Sequence, residues 1–437
     1  MPGHLYAAES FSTWSKSYGG PGTENLFRSV VRASDGGYVI AGETRSFGAG
    51  STDVWVIKVN EDGSIAWQRT WGGGSSDVTR SIQQTSDGGY VIAARTASFG
   101  RGSTDFWVIK LDDEGHTQWQ KTYGGPSGEM PHAIQQTTDG GYIVAGYTKS
   151  FGAVAKDYFV IKLNDAGGVE WQKRFGGSGN DVVRYVKQVS DGGYVVAGFS
   201  HSFDVRGDIL LLKLDPAGNI EWQKRYGGAK FEEPSTVLEV SDGYIVLEQS
   251  SSFTASTDAW IFKIEKDGDM IWQKTLGGRG GMDELSAAQL TPDGGFIAAG
   301  ETASNGLLVE DVWVVKFSAG GNVQWQKRFG GSDLDEAESL ELTPEGGSII
   351  VGPTRSFGAG SVDILGIRLD SNGDILGDCI SAFEIHDTFA TQKNTNAVPL
   401  DVKLTVASTT VTVKVSDAMA KGTDAVIETQ CEPTEIS

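Results

Sequence analysis

Short apolar runs alternate with turn residues along most of the chain, and the pattern returns at a nearly constant interval. Its clearest copy is residues 34–73, SDGGYVIAGETRSFGAGSTDVWVIKVNEDGSIAWQRTWGG. Turn dipeptides such as Asp35-Gly36 and Asp62-Gly63 punctuate this copy, because Asp and Gly tolerate the positive φ of tight hairpin loops. The periodicity predicts four short strands per copy. In the first copy they are residues 29–33, 38–44, 54–59 and 65–71.

The acid that opens each copy marks seven copies, which follow one another at intervals of 51 or 52 residues. These acids are Asp35, Asp87, Asp139, Asp191, Asp242, Asp293 and Glu345. A fixed interval of this size is typical of stacked units that are each too small to bury their own apolar face. Four antiparallel strands repeated seven times predict an all-β fold, a seven-bladed β-propeller whose radial closure leaves few open edges.

A tryptophan series predicts how the ring closes. One tryptophan stands near the start of each fourth strand: Trp14, Trp67, Trp119, Trp171, Trp222, Trp272 and Trp325. The first of them precedes the first complete copy, whereas Gly377 occupies the equivalent position after the last copy. We therefore expect residues 11–18 to supply the outer strand of the last blade, whose other strands come from about residues 340–370.

The composition changes after Gly377. Residues 378–437 contain no tryptophan and no DGG turn, and they alternate Thr with Val. Period-two alternation over residues 402–415 predicts two or three strands with one solvent-facing side, in a small C-terminal β module on the outside or underside of the ring. We accordingly divide the chain into an extension of residues 1–10, a propeller of residues 11–377 and this module.

Charge and cysteine content bear on location and partners. The net charge of −21 argues against nucleic acid, which requires clustered Lys and Arg. The two cysteines, Cys379 and Cys431, lie in the C-terminal module and favour a disulfide, hence an oxidising compartment. Residues 1–10 lack the features of a secretory signal, and no apolar run is long enough for a membrane span. We expect a secreted or cell-surface protein whose signal has been removed.

The repeat DGGYVIAG, SFGxG, DxWVIKLDxxGxIxWQKxxGG resembles that of secreted β-propeller proteins from archaeal and bacterial surfaces, over about residues 11–377. The resemblance implies the fold and a surface location, and little about activity. The LDxxGxIxW portion is also similar to the tryptophan-docking repeat of pyrroloquinoline-quinone proteins, in which the indole wedges neighbouring blades together. Those enzymes typically have eight blades, a vicinal cysteine pair and a metal, so we do not expect their cofactor in a seven-copy ring without cysteine.

Each copy also carries an acid ten or eleven residues after its tryptophan, which we expect at the start of an inner strand near the channel mouth. These acids are Glu24, Asp77, Glu129, Asp181, Glu232, Asp283 and Asp335. A ring of carboxylates suits a hard cation such as Ca²⁺, the one cofactor that the sequence suggests. The alternative, which we favour, is structural: the acids accept backbone hydrogen bonds in the Gly-Gly loops or pair with a neighbouring arginine.

Three residues beyond this acid the copies differ, and there we predict the ligand site. Copies two to four have Arg80, His132 and Arg184, and Arg28 takes the place in copy one after a one-residue insertion. The series is completed by Ser235, Ser286 and Glu338. Guanidinium groups beside an imidazole suit the carboxylate or sulfate of an acidic polysaccharide. The alternative is that these arginines neutralise the acid ring.

Three functions remain open from the sequence. The leading hypothesis is a non-enzymatic scaffold that binds an extracellular glycan, protein or matrix partner through its loop face. The second is a carbohydrate-active enzyme such as a polysaccharide lyase, with His132 as base and Arg80 or Arg184 neutralising a uronate. The third is a self-assembling subunit whose C-terminal strands add to a neighbour's sheet edge. The sequence contains no nucleophile motif, zinc spacing, phosphate loop or dinucleotide fingerprint.

Overall fold

The fold was obtained as a computed structural model, which describes most of the propeller in full and the C-terminal segment in part. The described residues are 13–375, without 152, 154, 204–205, 254–255, 279, 305–308 and 359, together with the strands between 386 and 431, whose backbone alone is described. The secondary structure of these residues is β-strand and turn. None of them belongs to a helix of the length and apolarity needed to cross a membrane.

The strands are named in chain order. Those of the ring are β1 Trp14–Gly19, β2 Glu24–Arg32, β3 Tyr38–Thr44, β4 Asp53–Val59, β5 Ile65–Trp71, β6 Asp77–Gln84, β7 Tyr90–Thr96, β8 Asp105–Leu111, β9 Thr117–Gly124, β10 Glu129–Gln136, β11 Tyr142–Thr148, β12 Asp157–Leu163, β13 Val169–Gly176, β14 Asp181–Gln188, β15 Tyr194–Ser200, β16 Asp208–Leu214, β17 Ile220–Tyr226, β18 Glu232–Val240, β19 Gly243–Ser250, β20 Asp258–Ile264, β21 Met270–Gly277, β22 Asp283–Leu290, β23 Phe296–Thr302, β24 Asp311–Phe317, β25 Val323–Phe329, β26 Ser339–Leu342, β27 Ser348–Thr354 and β28 Asp363–Leu369. Those of the C-terminal segment are β29 His386–Asp387, β30 Thr391–Asn394, β31 Leu400–Asp401, β32 Thr405–Ser408, β33 Thr412–Val415, β34 Lys421–Gly422 and β35 Val426–Cys431.

The strands form seven antiparallel sheets, which are the blades of the predicted seven-bladed β-propeller. Blade 1 contains β2 to β5 from the axis outward, and blades 2 to 6 follow with four consecutive strands each. Blade 7 contains β26, β27 and β28, and its next strand is β1, in which Trp14 pairs with Arg368 and Tyr18 with Ile364. Closure of the ring by the N-terminal strand is therefore confirmed.

Apolar contacts between neighbouring blades form the core. The cluster at the closing seam combines Trp14 and Tyr18 of blade 7 with Ile40 and Trp55 of blade 1, and all four side chains are at most 1% exposed. Indoles also bond across blades: Trp14 Nε1 donates to the carbonyl of Glu61 at 2.9 Å. Because each cluster joins two blades, one copy has no complete core of its own, which is why the repeat must close into a ring.

A repeated ion pair ties the first hairpin of each blade to its third strand. In blade 2, for example, Asp87 lies 2.9 Å from Lys110. The corresponding pairs elsewhere are Asp35–Lys58, Asp139–Lys162, Asp191–Lys213, Asp242–Lys263 and Asp293–Lys316. In blade 7 both members change together, to Glu345 and Arg368. The acid that marks each copy in the sequence is thus a structural residue.

The C-terminal strands are present as predicted, but their partners differ from the expected small module. Each adds a fifth strand to the outer edge of a different blade, from β29 on blade 6 back through β34 on blade 1 and finally β35 beside β1 in blade 7. We call these seven strands the belt. Strands β32 and β33, within the stretch 402–415, pair with blades 3 and 2 rather than with each other. The alternating pattern predicts a strand but does not predict which strand it pairs with. Each outer edge of a blade offers unpaired backbone groups to which such a strand can hydrogen-bond.

The predicted disulfide stays a prediction. Cys379 lies outside the described residues, and so does the side chain of Cys431, whose backbone ends β35.

Deleting residues 1–20 should open the ring. The deletion removes β1, and with it two large aromatic side chains that are at most 1% exposed, each worth about 3–5 kcal/mol. We expect the thermal unfolding midpoint to fall by roughly 7–11 °C. Deleting residues 1–10 alone, which spares β1, is the matched control. Equal midpoints for the longer deletion and the full chain would refute closure by β1.

Truncation after Gly377 separates two roles of the C-terminal strands. If they protect their own blades, removing them exposes seven outer edges, and the truncated protein should associate more than the full chain. If they join neighbouring molecules, the full chain should be the larger species. Size-exclusion chromatography with light scattering measures both. A full-length oligomer that becomes monomeric on truncation would contradict the belt's protective role.

One buried carboxyl breaks the repeat. Glu248 of β19 occupies a position that is glycine in five other copies and alanine in blade 2. Its side chain is fully buried, and neither carboxyl oxygen hydrogen-bonds to a described group. Burial, with the nearby carboxylates of Glu232, Asp208 and Glu233, raises the pKa of Glu248 well above its ordinary value. Folding therefore favours the protonated form of this carboxyl.

Replacing this group should stabilise the protein in a pH-dependent way. Because the folded-state pKa of Glu248 is raised, its contribution to stability falls as pH rises above about 4.5, by up to about 1.4 kcal/mol per pH unit. We expect the advantage of Glu248→Ala over wild type, measured by urea unfolding, to grow from pH 5 to pH 8. The exposed Glu265→Ala is the control. A pH-independent difference for Glu248→Ala would contradict the assignment.

Candidate functional site

The innermost strands share a β-bulge. In blade 2 the register passes from Thr79 opposite Ala94 to Ser81 opposite Ala93, which leaves Arg80 outside the ladder. Blades 3 to 6 have the same irregularity, at His132, Arg184, Ser235 and Ser286. A bulge re-aims one side chain and frees it from cross-strand pairing. The positions that vary between copies are therefore the positions that strand pairing does not constrain.

The bulge residues meet at an opening on the propeller axis. A cavity of about 180 Å³, called here the axial cavity, is lined by residues of all seven blades, including Arg80, His132, Arg184, Ser235 and Glu338. A second cavity of about 270 Å³ is lined by the seven innermost strands and shares His132 and Ser235 with the first. The structure thus brings together three of the four predicted ligand residues.

The fourth predicted residue, Arg28, falls in a longer irregularity of blade 1. The register there passes from Leu26 to Val30, which agrees with the inserted residue that the sequence indicates. The side chain of Arg28 lies outside the described residues. Its role stays a prediction.

Blade 2 contributes a guanidinium that is only partly engaged. Arg80 Cζ lies 4.3 Å from the ring centroid of Phe27, and Arg80 Nε has no hydrogen-bond partner among the described groups. Burial lowers the pKa of Arg80 to about 10, so the group remains cationic at neutral pH. Arg80 forms no ion pair with a described residue, although Glu43 is an electrostatic neighbour. This guanidinium keeps donor capacity for an incoming anion.

Blades 3 and 4 contribute a linked imidazole and guanidinium. Arg184 Nη1 lies 3.1 Å from His132 Nδ1, and Arg184 Nε also pairs with Glu233 of blade 5. His132 is 8% exposed. Because a guanidinium only donates, the imidazole nitrogen that faces Arg184 acts as an acceptor. The contact orients both side chains at the wall of the axial cavity.

Blades 6 and 7 contribute the opposite charge. Glu284 lines the axial cavity and is paired directly across the strands with Glu301. Glu301 is 8% exposed and makes no hydrogen bond or ion pair with a described residue. Its electrostatic neighbours include Glu336, Glu284, Glu310 and Glu338, and burial together with these carboxylates raises the pKa of Glu301 to about 9. We call these five residues the acid half.

Sequence reasoning missed the acid half except Glu338. It also missed Phe27, whose ring lies against Arg80, and Arg95, an electrostatic neighbour of Arg80. Most of the missed residues occupy two positions of the repeat. One position directly follows the repeated acid of the inner strand, and the other is the second-last residue of the second strand. In blade 2 these are Val78 and Arg95, and in blade 6 they are Glu284 and Glu301. Both positions differ between copies, so aligning all seven copies at every variable position would have found them.

The seven repeated acids have hydrogen bonds inside their own blades. Glu129 accepts from Thr148 Oγ1 at 2.7 Å and from the backbone N–H of Gly125 at 2.9 Å. The other six make corresponding bonds, and all seven are at most 1% exposed. No three of these acids have ligand atoms within 4.8 Å of one another among the described residues. The bonds favour the structural interpretation, and the calcium role stays a prediction.

Comparison with known proteins adds little. No protein-family model matches the chain, and neither does a curated protein. The crystal structure of a eukaryotic initiation factor is similar at a TM-score of 0.33 and 9% sequence identity, over 88% of this chain and 98% of that one. The architecture described above rests on the strand pairings of the chain itself.

Proposed function

We propose that the chain is a non-enzymatic binding protein, secreted or displayed at a cell surface, that holds an anionic group of an extracellular partner at the axial cavity. The group is a carboxylate or sulfate, in the first place that of a glycan. The observation that carries the proposal is Arg80, a guanidinium at the cavity wall that has no ion pair with a described residue.

The surroundings of Arg80 favour recognition at short range. Phe27 supports the guanidinium plane, which leaves the edge with its N–H groups for a planar anion, and Arg184 lines the same cavity. A half-buried position strengthens the interaction, because less water screens the charges. The net charge of −21 repels anions at long range, so selectivity must come from these local contacts.

The lyase alternative uses the same cavity and differs in its product. It requires His132 to take a proton from a sugar ring, whereas His132 already contacts Arg184 at 3.1 Å. Incubation with uronate polysaccharides, followed at the absorbance of unsaturated uronates, decides between binding and cleavage. Turnover by wild type that is lost in His132→Ala would replace the binding proposal with an enzymatic one.

Arg80→Met should weaken binding of an oligouronate by at least about tenfold, as measured by calorimetry, because a charge-assisted contact is worth about 1.5–3 kcal/mol. The affinity for a neutral oligosaccharide of the same length should be the same in both proteins. The matched control is Arg69→Met, since Arg69 also lies over an aromatic ring, Trp67 at 5.4 Å, but on the outer strand β5. Equal losses in the two variants, or none in Arg80→Met, would contradict the proposal.

A further inference from the structure

We propose that the group bound at the axial cavity is zwitterionic: its anion contacts Arg80, and an ammonium or guanidinium group a few bonds away lies against the acid half. The inference rests on the proposed function and narrows its ligand class. It concerns a unit of about the size of one amino acid or one amino-sugar acid.

The first argument is the distribution of charge around one cavity. Arg80 and Arg184 line it from blades 2 and 4, whereas Glu284 and Glu338 line it from blades 6 and 7. Glu233 of blade 5 also lines it and pairs with Arg184, so Arg80 carries most of the positive charge. In a ring of seven blades these two sets lie on opposite sides of the axis. A ligand with negative charge alone would meet like charge across the cavity, which costs affinity. A ligand with both charges is attracted from both sides.

The second argument is Glu301, which lies behind Glu284. Residues paired directly across two strands have Cβ atoms about 4.5–5.5 Å apart, and like charges in such a pair are unfavourable. Glu301 is more than nine-tenths buried and has no hydrogen-bond or ion-pair partner among the described residues. Glu284 and Glu338 have further interactions of their own, so the argument rests on Glu301. With a pKa of about 9 this carboxyl is neutral in the unliganded protein, and a cation at this wall would favour its ionised form and so gain a partner.

The third argument separates an organic cation from a metal ion. Among the described residues, no three acids of this group have oxygens within 4.8 Å of one another, as ligands of one metal ion would. An ammonium or guanidinium group is larger and donates hydrogen bonds in several directions, so it suits carboxylates that are farther apart. The cavity volume of about 180 Å³ is below that of drug-sized pockets, which indicates a small ligand or the end of a larger one.

The test compares zwitterions with their N-acetylated forms, which keep the carboxylate and lose the cation. Glycine, β-alanine and ε-aminocaproate vary the distance between the charges, and glucosaminuronic acid represents the sugar source. Calorimetry on the full chain should show at least one free zwitterion binding about tenfold more tightly than its acetylated form. Arg80→Met should weaken both forms.

The acid half gives a test of opposite sign. Glu284→Gln should weaken binding of the free zwitterion by several fold and strengthen binding of the acetylated anion, because the lost charge attracts one and repels the other. Glu301→Gln should weaken binding of the free zwitterion only, because the Glu301 carboxyl, with a pKa of about 9, is neutral until a cation approaches. Glu114→Gln, at an exposed hairpin of blade 2, should change neither. Thermal unfolding confirms that each variant is folded. An adventitious surface effect would appear equally in the Glu114 control and would overturn the inference.

The outcomes distinguish the inference from the proposed function. If anions bind through Arg80 but acetylation has no effect, or if Glu284→Gln strengthens both forms, the zwitterion inference fails while anion binding stands. If no probe binds in an Arg80-dependent way, both fail. Preference for the amino acids or for the amino-sugar acid identifies the source of the ligand group.

Discussion

Closure of the ring of seven blades is the constraint on which this structure depends. An array of blades that each lack a core has two unsatisfied ends, and they meet where β1 lies between β28 and β35. Trp14 and Tyr18 fill this seam, and Arg368, only 2% exposed, contacts Glu345 in its own blade and Glu61 of blade 1. A buried guanidinium is costly unless it is paired, so this contact favours one register of closure. The strands β1 and β35, the first and last that the structure describes, therefore belong to the same sheet.

Repetition and variation have separate physical roles. The Asp–Lys pair of each blade recurs because it holds a hairpin to a buried strand, and where the acid lengthens to Glu345 the cation becomes Arg368. The bulge position has no such partner in the ladder, so it accepts Arg80, His132, Ser235 or Ser286 without loss of strand pairing. A symmetric scaffold thus forms an asymmetric site.

The blades, their number and the closing strand could be predicted because periodicity and the position of Trp14 reflect local rules that each copy obeys. The belt could not, because alternating Thr and Val identify a strand with one buried side and are compatible with any exposed sheet edge. The acid half was missed for a different reason. Glu284 and Glu301 lie on the two strands of one hairpin and face each other only through the cross-strand register, and the bulge that shifts this register has no signature in one copy.

The opposed charges at the axis are best understood together with the net charge of −21. A strongly negative protein that selected a simple anion would have to overcome its own field during approach and, within the cavity, the carboxylates of blades 6 and 7. A ligand that carries both an anion and a cation has little net charge, so the negative protein does not repel it during approach. On contact, each of its two charges is attracted by one wall of the cavity. Arg80 alone would favour any anion. With Glu284 on the opposite side of the cavity, the site favours a ligand whose anionic and cationic groups are separated by a matching distance.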